Sequence, residues 1–193
     1  MRIGKGACNA NFKIDHCLKQ KEYVFWKYEI MKDFVLTPQK VSVRKDQDGN
    51  IYPKSWWFRT LRHPELTKLY DEFYTKDGYR TGKKVVPKWL IKEFNEYIAA
   101  VLIMDDGSYN KEAIDISTYS FSKEDIEILI HAFSKKLNVK FHMYRDRDIG
   151  YRIYANKEET KKLIEKISPY IIPEMMYKIG FYSPVTTGSK ALN

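Results

Sequence analysis

The fold is decided by the segment Asn95-Glu96-Tyr97-Ile98-Ala99-Ala100-Val101-Leu102-Ile103-Met104-Asp105-Asp106-Gly107-Ser108. Apolar residues follow the helical repeat from Ile91 to Leu102. The small side chains of Ala99 and Ala100 would let another helix approach closely. Gly107 indicates where the helix stops. We therefore predict an apolar helix over residues 91–106.

The carboxyl end of this predicted helix is electrostatically unusual. A helix end carries partial negative charge and favours Lys or Arg, yet this one carries Asp105 and Asp106. We therefore expect a positive group close by. Carboxylate and carbonyl oxygens suit Mg²⁺ and leave coordination positions open for phosphate oxygens and water. Because Asp-Asp-Gly also occurs in ordinary solvated turns, the rest of the sequence must decide between a metal site and a turn.

The charge of the chain favours a polyanionic partner. Lys and Arg number 34 against 25 acidic residues, which gives a net charge of +9. Residues 1–90 hold 19 basic and 10 acidic residues, whereas residues 91–193 hold 15 of each. The surplus therefore lies in the first part of the chain, although charge alone does not separate DNA, RNA and anionic lipid.

The composition argues against several classes of protein. The two cysteines, Cys8 and Cys17, and the four scattered histidines match neither a disulfide scaffold nor a zinc site. We expect no membrane partner, because the sequence has no run of 18 apolar residues. We also expect no targeting signal, which favours synthesis inside an organelle (mitochondrion or plastid) or a bacterial cytoplasm.

The chain contains a tandem repeat of strand, helix, hairpin and helix. In the first copy we predict a strand in 2–15, a helix over 23–34, a hairpin of 40–44 and 55–60, and a helix from His63. In the second copy the same elements are predicted at 113–119, 121–137, 140–145 with 150–154, and 157–169. The predicted acidic helix precedes the second copy.

Polar, basic and aromatic residues alternate along the predicted strands. A two-stranded ribbon fits the DNA major groove, where Arg and Lys read guanine and Asn or Gln reads adenine. Any solvated sheet face would alternate in the same way. The candidate DNA-binding residues are Arg2, Lys5, Asn11, Lys13, Lys40, Ser42, Arg44, Trp57 and Arg59 in the first copy, and His142, Tyr144, Arg145, Tyr151 and Arg152 in the second.

Residues 99–107 resemble the signature of the LAGLIDADG homing endonucleases, especially the double-motif monomers encoded in organellar ribosomal RNA introns. Residues 82–87 and 170–178 add to the resemblance, which spans nearly the whole chain. It implies an α+β fold of tandem αββαββα-type half-domains with antiparallel, saddle-shaped sheets. The half-domains would be residues 1–90, lacking the leading helix, and 91–193, with the motif helix at 91–106.

The resemblance also implies an activity and a site. The chain would be a site-specific endonuclease that cuts both strands of DNA at a long recognition site and so promotes intron homing. Asp106 would bind Mg²⁺ or Mn²⁺, the Asp105 carbonyl would be a supporting ligand, and Lys84 and Lys178 would be the basic catalytic residues near the scissile phosphates.

The sequence departs from this family pattern at its beginning. Met1 stands where a first acidic helix should end, so that one metal-binding aspartate and one helix interface lack a counterpart. We expect a missing N-terminal helix, a second chain or another copy to pack on residues 95–106.

Two alternative functions stay open at this point. The first is an RNA maturase that binds intron RNA, or a catalytically degenerate DNA- or RNA-binding relative. The second is a nuclease built on Asp148, Glu159 and Lys161, although Glu-x-Lys is common by chance in a lysine-rich helix.

Overall fold

The computed structural model describes residues 1, 3, 8–75 and 82–181. The first copy of the repeat contains β1 Lys13–Cys17, α1 Lys21–Met31, β2 Lys40–Lys45, β3 Ile51–Arg59 and α2 Pro64–Phe73. The connecting helices are α3 Leu90–Glu93 and α4 Glu96–Asp106. The second copy contains β4 Gly107–Asn110, β5 Ala113–Ser117, α5 Lys123–Leu137, β6 His142–Asp146, β7 Gly150–Ala155 and α6 Lys157–Ile167. Short 3₁₀ helices span Leu18–Gln20, Lys32–Phe34, Ser168–Tyr170 and Pro173–Ile179.

The described strands form two antiparallel sheets with matching strand orders. One sheet has the order β1-β3-β2, and the other has the order β4-β5-β7-β6. Within their sheets, β5, β7 and β6 are neighbours in the same order as β1, β3 and β2. This match confirms the tandem repeat and the α+β class. The division of the chain at residue 90 stays a prediction.

The predicted motif helix is wrong in its first turn. The chain forms the short helix α3, leaves helical geometry at Phe94, and starts again at α4. Asn95 causes this break, because its extended backbone and its side-chain oxygen, which accepts from the amide of Ile98 at 3.0 Å, make it the N-cap of α4. The helix ends at Asp106, and Gly107 follows it as predicted.

Strand β4 is an element that we did not predict. It follows α4 directly and pairs with β5 through a turn in which Lys111 and Glu112 have φ values of 48° and 64°. Its sequence, Gly-Ser-Tyr-Asn, has no apolar alternation, so tertiary pairing decides it. Strand β1 in turn begins at Lys13 rather than at Arg2, which lies outside the described residues.

Helix α4 lies at the centre of the larger hydrophobic core. Ala99, Ala100, Ile103 and Met104 are fully buried and pack with apolar residues of the second sheet and of α5 and α6. Tyr23 of α1 belongs to the same core. The core therefore ties the first copy of the repeat to the motif helix. Within the described residues, no helix has the length and apolar character needed to cross a membrane.

Candidate active site and nucleic-acid interface

Asp106 lies where α4 turns directly into β4. A Cβ atom at Gly107 would lie 2.6 Å from the backbone oxygen of Ile103, so only glycine fits this junction. Asp106 stays solvent-accessible beside the junction. Desolvation by the surrounding protein and the neighbouring Asp105 carboxylate raise the pKa of Asp106, while nearby lysines oppose the rise. The helix end therefore carries a carboxylate whose charge is only partly compensated.

Lys178 and Lys84, both predicted as catalytic, lie near this carboxylate. The Nζ of Lys178 donates to the carbonyl oxygen of Gly107 at 2.7 Å. Burial lowers the pKa of Lys178, and the charge of Asp106 opposes that effect. Lys84, which forms a β-bridge with Tyr74, is close enough to lower the pKa of Asp106. The structure thus brings together the three residues that were predicted separately, while their catalytic roles stay predictions.

Lys27 is a further cation at this site, which sequence reasoning missed. Its Nζ donates to Oδ1 of Asp105 at 2.5 Å, and its side chain is 12% exposed. The same nitrogen lies 4.2 Å from the centroid of the Tyr23 ring and 3.2 Å from Nε2 of His16. Burial, and next the charge of Lys27, lower the pKa of His16. The acidic end of α4 predicted that a positive group lies close by. It did not predict that α1 supplies this group.

The oxygen donors at the helix end fit a hard divalent cation. Lys27 engages the Asp105 carboxylate, whereas the exposed Asp106 carboxylate has no ion pair among the described residues. The assignment of Asp106 and the Asp105 carbonyl as metal ligands stays a prediction. In the part of the chain that the structure describes, no group of three or more acidic, His or Cys side chains is arranged to hold a metal ion. A cation here would take its other ligands from water, phosphate or another acid, as Mg²⁺ commonly does.

Predicted DNA-binding residues of the first copy gather on one face of its sheet. The register places Lys13 opposite Arg59, and Lys40 opposite Trp57. Ser42 lies two positions after Lys40 and pairs with Ser55, which shares the face of Trp57. The register shifts at a β-bulge between Ser42 and Val43, and Arg44 beyond it pairs with Tyr52. Two cations lie close to the ring of Trp57. The Nζ of Lys13 is 5.1 Å from the ring centroid, and the guanidinium carbon of Arg59 is 5.8 Å from it. The Nε of Arg59 is buried and has no hydrogen-bond partner among the described residues.

The second sheet divides its predicted residues between two faces. His142, Tyr144 and Arg152 share the face away from the helices, because the register pairs Tyr144 with Arg152. The placement of Arg145 and Tyr151 on that face is wrong. These two residues pair with each other one position along the strands, so their side chains point to the opposite face, where Tyr151 packs against the core.

Three other predicted residues do not join the exposed sheet faces. Asn11 is 7% exposed and precedes β1, so its placement as a surface residue is wrong. The chain there runs beneath α2, as the hydrogen bond from the amide of Ala10 to Thr67 indicates. Arg2 and Lys5 lie outside the described residues.

The alternative nuclease pattern does not form a site. Glu159 is buried, and its carboxylate accepts from the amide of Lys140 at 2.6 Å and from Nζ of Lys162 at 2.7 Å. Asp148 is fully exposed in a turn, and its Oδ1 lies 3.9 Å from Nη2 of Arg145. The two acids have separate partners, and Glu159 joins α6 to the segment between α5 and β6.

An apolar groove of about 370 Å³ runs along the outward side of α4. Helix α4 contributes Tyr97, Ile98, Val101, Leu102 and Asp105, and the opposite wall includes Phe73, Val86 and Leu90. The groove thus follows successive turns of the helix and ends beside the carboxylate pair.

Comparison with known proteins identifies the family. The sequence profile of the LAGLIDADG DNA endonuclease family matches residues 1–163. The chain belongs to the LAGLIDADG DNA endonuclease family. This membership agrees with the resemblance carried by residues 99–107 and with the two repeated sheets.

Individual relatives within the LAGLIDADG family include endonucleases and maturases. The chain is 31% identical over 176 residues to the DNA endonuclease I-ChuI of Chlamydomonas applanata. The aligned region covers 86% of this chain and 81% of that protein. It is 32% identical over 119 residues to the cytochrome b mRNA maturase bI2 of Debaryomyces hansenii. That aligned region covers 60% of this chain and 45% of the maturase. The chain therefore spans less than half of that maturase's length.

A solved structure of a homing endonuclease has a similar fold. The homing endonuclease I-WcaI, bound to its DNA recognition sequence, superposes with a TM-score of 0.77 at 28% identity. The superposition covers 94% of this chain and 80% of that one.

Proposed function

We propose that the chain is a site-specific homing endonuclease that makes a double-strand break in DNA by metal-dependent phosphodiester hydrolysis. The observation that carries this proposal is the position of Asp106, which lies beside Lys178 and Lys84 in a chain with two exposed sheet faces. The similarity to a homing endonuclease bound to its recognition sequence supports DNA as the partner. The relatives named as intron-encoded support an organellar setting.

Each group at the helix end has a distinct role in this proposal. Asp106 and the Asp105 carbonyl would hold Mg²⁺ or Mn²⁺, which supplies Lewis-acid polarisation of the phosphodiester when bound. Lys178 and Lys84 offset the negative charge that grows on the phosphate in the transition state. Lys27 neutralises the Asp105 carboxylate, so that this side chain does not compete for the metal or repel the phosphate.

A second acidic helix would complete the site. We propose that the groove along α4 receives an apolar helix that ends in a carboxylate, chemically like α4 itself. The two copies of the repeat share one strand order, and a helix related to α4 by that repeat would lead into the first sheet and pack against Ile98, Val101 and Leu102. Its carboxylate would then lie beside Asp106 and serve the second DNA strand.

A cleavage selection from randomised sequences tests the activity. The purified chain is incubated with Mg²⁺ or Mn²⁺ and a plasmid library that carries a long randomised insert, alone and with a peptide of the α4 sequence. Linearised plasmids are then sequenced. A common cleavage motif that disappears with Asp106→Asn supports the endonuclease. The absence of linear product under all conditions, with DNA binding retained, contradicts it.

Sedimentation of the same samples tests the groove. A dimer, or a complex with the added peptide, supports docking of a second acidic helix. A monomer that does not bind the peptide contradicts that docking. A variant with Val101→Glu, which places a charge in the apolar groove, should abolish the association.

The second candidate function is an RNA maturase, which the similarity to the cytochrome b mRNA maturase favours. The same exposed sheets offer aromatic and basic side chains to structured RNA. A maturase would bind intron RNA with strongly salt-dependent affinity and promote splicing unchanged by Asp106→Asn. The effect of this substitution on each activity therefore separates the two functions.

A further inference from the structure

Five side chains form a connected network on the exposed face of the second sheet. Asp115 accepts a hydrogen bond from Nε of Arg152, pairs with its Nη2, and accepts from the Tyr144 hydroxyl at 2.6 Å. Nη1 of Arg152 donates to the Tyr119 hydroxyl at 2.9 Å, and Tyr119 donates to Asp146. These contacts hold the Arg152 guanidinium from two sides.

The network leaves part of the guanidinium available to a ligand. A guanidinium has five N–H donors, and the contacts with Asp115 and Tyr119 engage one on each of its three nitrogens. One N–H on Nη1 and one on Nη2 have no partner among the described residues. Arg152 lines an open depression of about 520 Å³ together with Ser108, Asn110 and Tyr154. The end of the guanidinium is therefore a fixed pair of donors on a concave surface.

The charge of the depression gives no net attraction for a phosphate. Arg152 and Lys111 line it together with the carboxylates of Asp115 and Asp146, so these four charges cancel. The matching face of the first sheet differs, since Lys13, Lys40 and Arg59 share it with the carboxylate of Asp15. A lining without net charge does not attract the DNA backbone, whereas the base edges of the major groove present neutral donors and acceptors that the guanidinium can bind.

We propose that Arg152 reads a guanine by donating hydrogen bonds from its two terminal nitrogens to O6 and N7 of the base. Asp115 is then the positioning residue that holds the forked guanidinium group in place. This inference rests on the proposed function, because it needs a protein that binds DNA by sequence. The first sheet then supplies much of the backbone attraction, and the second sheet supplies base discrimination at this point. Tyr119 and Tyr144 fix the flanks of the same network.

Selection of bound sequences from a randomised double-stranded DNA pool tests this assignment. The full chain is used in EDTA, so that binding is measured and no DNA is cut. Arg152→Lys keeps the positive charge but removes the fork. We expect this variant to lose preference for guanine at one position, by about 5- to 150-fold, with the other positions and the salt dependence unchanged. The matched control is Arg145→Lys, on the opposite face of the same hairpin, which should keep the whole motif.

A second variant covers the case in which Arg152→Lys fails to fold. Asp115→Asn leaves Arg152 in place but removes the charge that holds it. We expect this variant to bind unrelated DNA more tightly while its guanine preference falls. A positioning role predicts these opposite changes, whereas a merely structural role would lower both.

The outcomes separate this inference from the proposed function. If the wild-type chain selects no common motif, sequence-specific DNA binding itself fails. If the wild type selects a motif that Arg152→Lys leaves intact, or that Arg152→Lys degrades equally at every position, the guanine assignment is overturned and the proposed function stands.

Discussion

The Nζ of Lys27 lies 2.5 Å from Oδ1 of Asp105, although the two residues are 78 positions apart in the chain. Lys27 belongs to the helix of the first copy, and Asp105 belongs to the helix that precedes the second. The ion pair therefore joins the two copies at the point where Asp106 is exposed. It also fulfils the requirement for a positive group at the acidic end of α4.

Lys27→Met should destabilise the protein through Asp105. The substitution keeps much of the apolar stem but leaves the half-buried Asp105 carboxylate without its cation beside the negative end of a helix. We expect the free energy of unfolding in urea to fall by about 1–3 kcal/mol. Lys32→Met, at a side chain that is 61% exposed, should change it by less than about 0.5 kcal/mol. An equal loss from Lys27→Met in an Asp105→Asn background would show that the ion pair is not the cause.

Asp106→Asn should stabilise the protein at neutral pH in the absence of divalent metal. Desolvation by the surrounding protein and the charge of Asp105 raise the pKa of Asp106, so the folded protein binds this proton more tightly than the unfolded chain does. Stability is therefore lost as the pH rises from the ordinary pKa of Asp, about 3.9, through the raised folded value. Urea unfolding of both proteins at pH 7 and near pH 4 should show a gain that shrinks in acid. A gain independent of pH would contradict this cause.

Lys178→Met should slow cleavage of DNA that is already bound. The substitution removes a cation beside Asp106 and the hydrogen bond to Gly107. We expect the single-turnover rate to fall by about 10²- to 10³-fold, with little change in DNA affinity. Lys166→Met, on the exposed surface of α6, is the matched control and should leave both unchanged. A loss of affinity with a normal rate would make Lys178 an anchoring residue instead.

Arg44→Glu and Arg59→Glu should weaken DNA binding at all sequences. Arg59 lies beside Lys13 on the first sheet's exposed face, and Arg44 is exposed beyond the β-bulge of β2. Each substitution should reduce the slope of log affinity against log salt by about one for each phosphate that the arginine neutralises. Affinity measured between 50 and 200 mM salt checks this, as those concentrations span the usual working range. Arg145→Glu should have a smaller effect, and unchanged affinity in both test variants would refute the role of the face.

Local sequence signals predicted most of the secondary structure. The apolar repeat, the Asp pair and Gly107 defined the end of α4, because helix termination depends on residues within one turn. The first long helix of each copy begins at Lys21 and at Lys123, close to the predicted starts at residues 23 and 121. Signals of this kind failed where another element intervened. Strand β4 exists because β5 pairs with it, and Asn95 ended α3 although the apolar pattern ran through it.

The sequence by itself determined the family, the repeated elements and the acidic helix end, since each depends on residues that are close in the chain. Only the tertiary structure decided that Lys27 meets Asp105, that Lys178 reaches Gly107, and that Arg152 is held by Asp115. The strand register likewise separated Arg145 from Arg152, which sequence reasoning had placed together. The physical reason is that charge pairing and sheet faces depend on how separate elements pack. Residues that are neighbours in the chain carry no information about which distant residues they will meet.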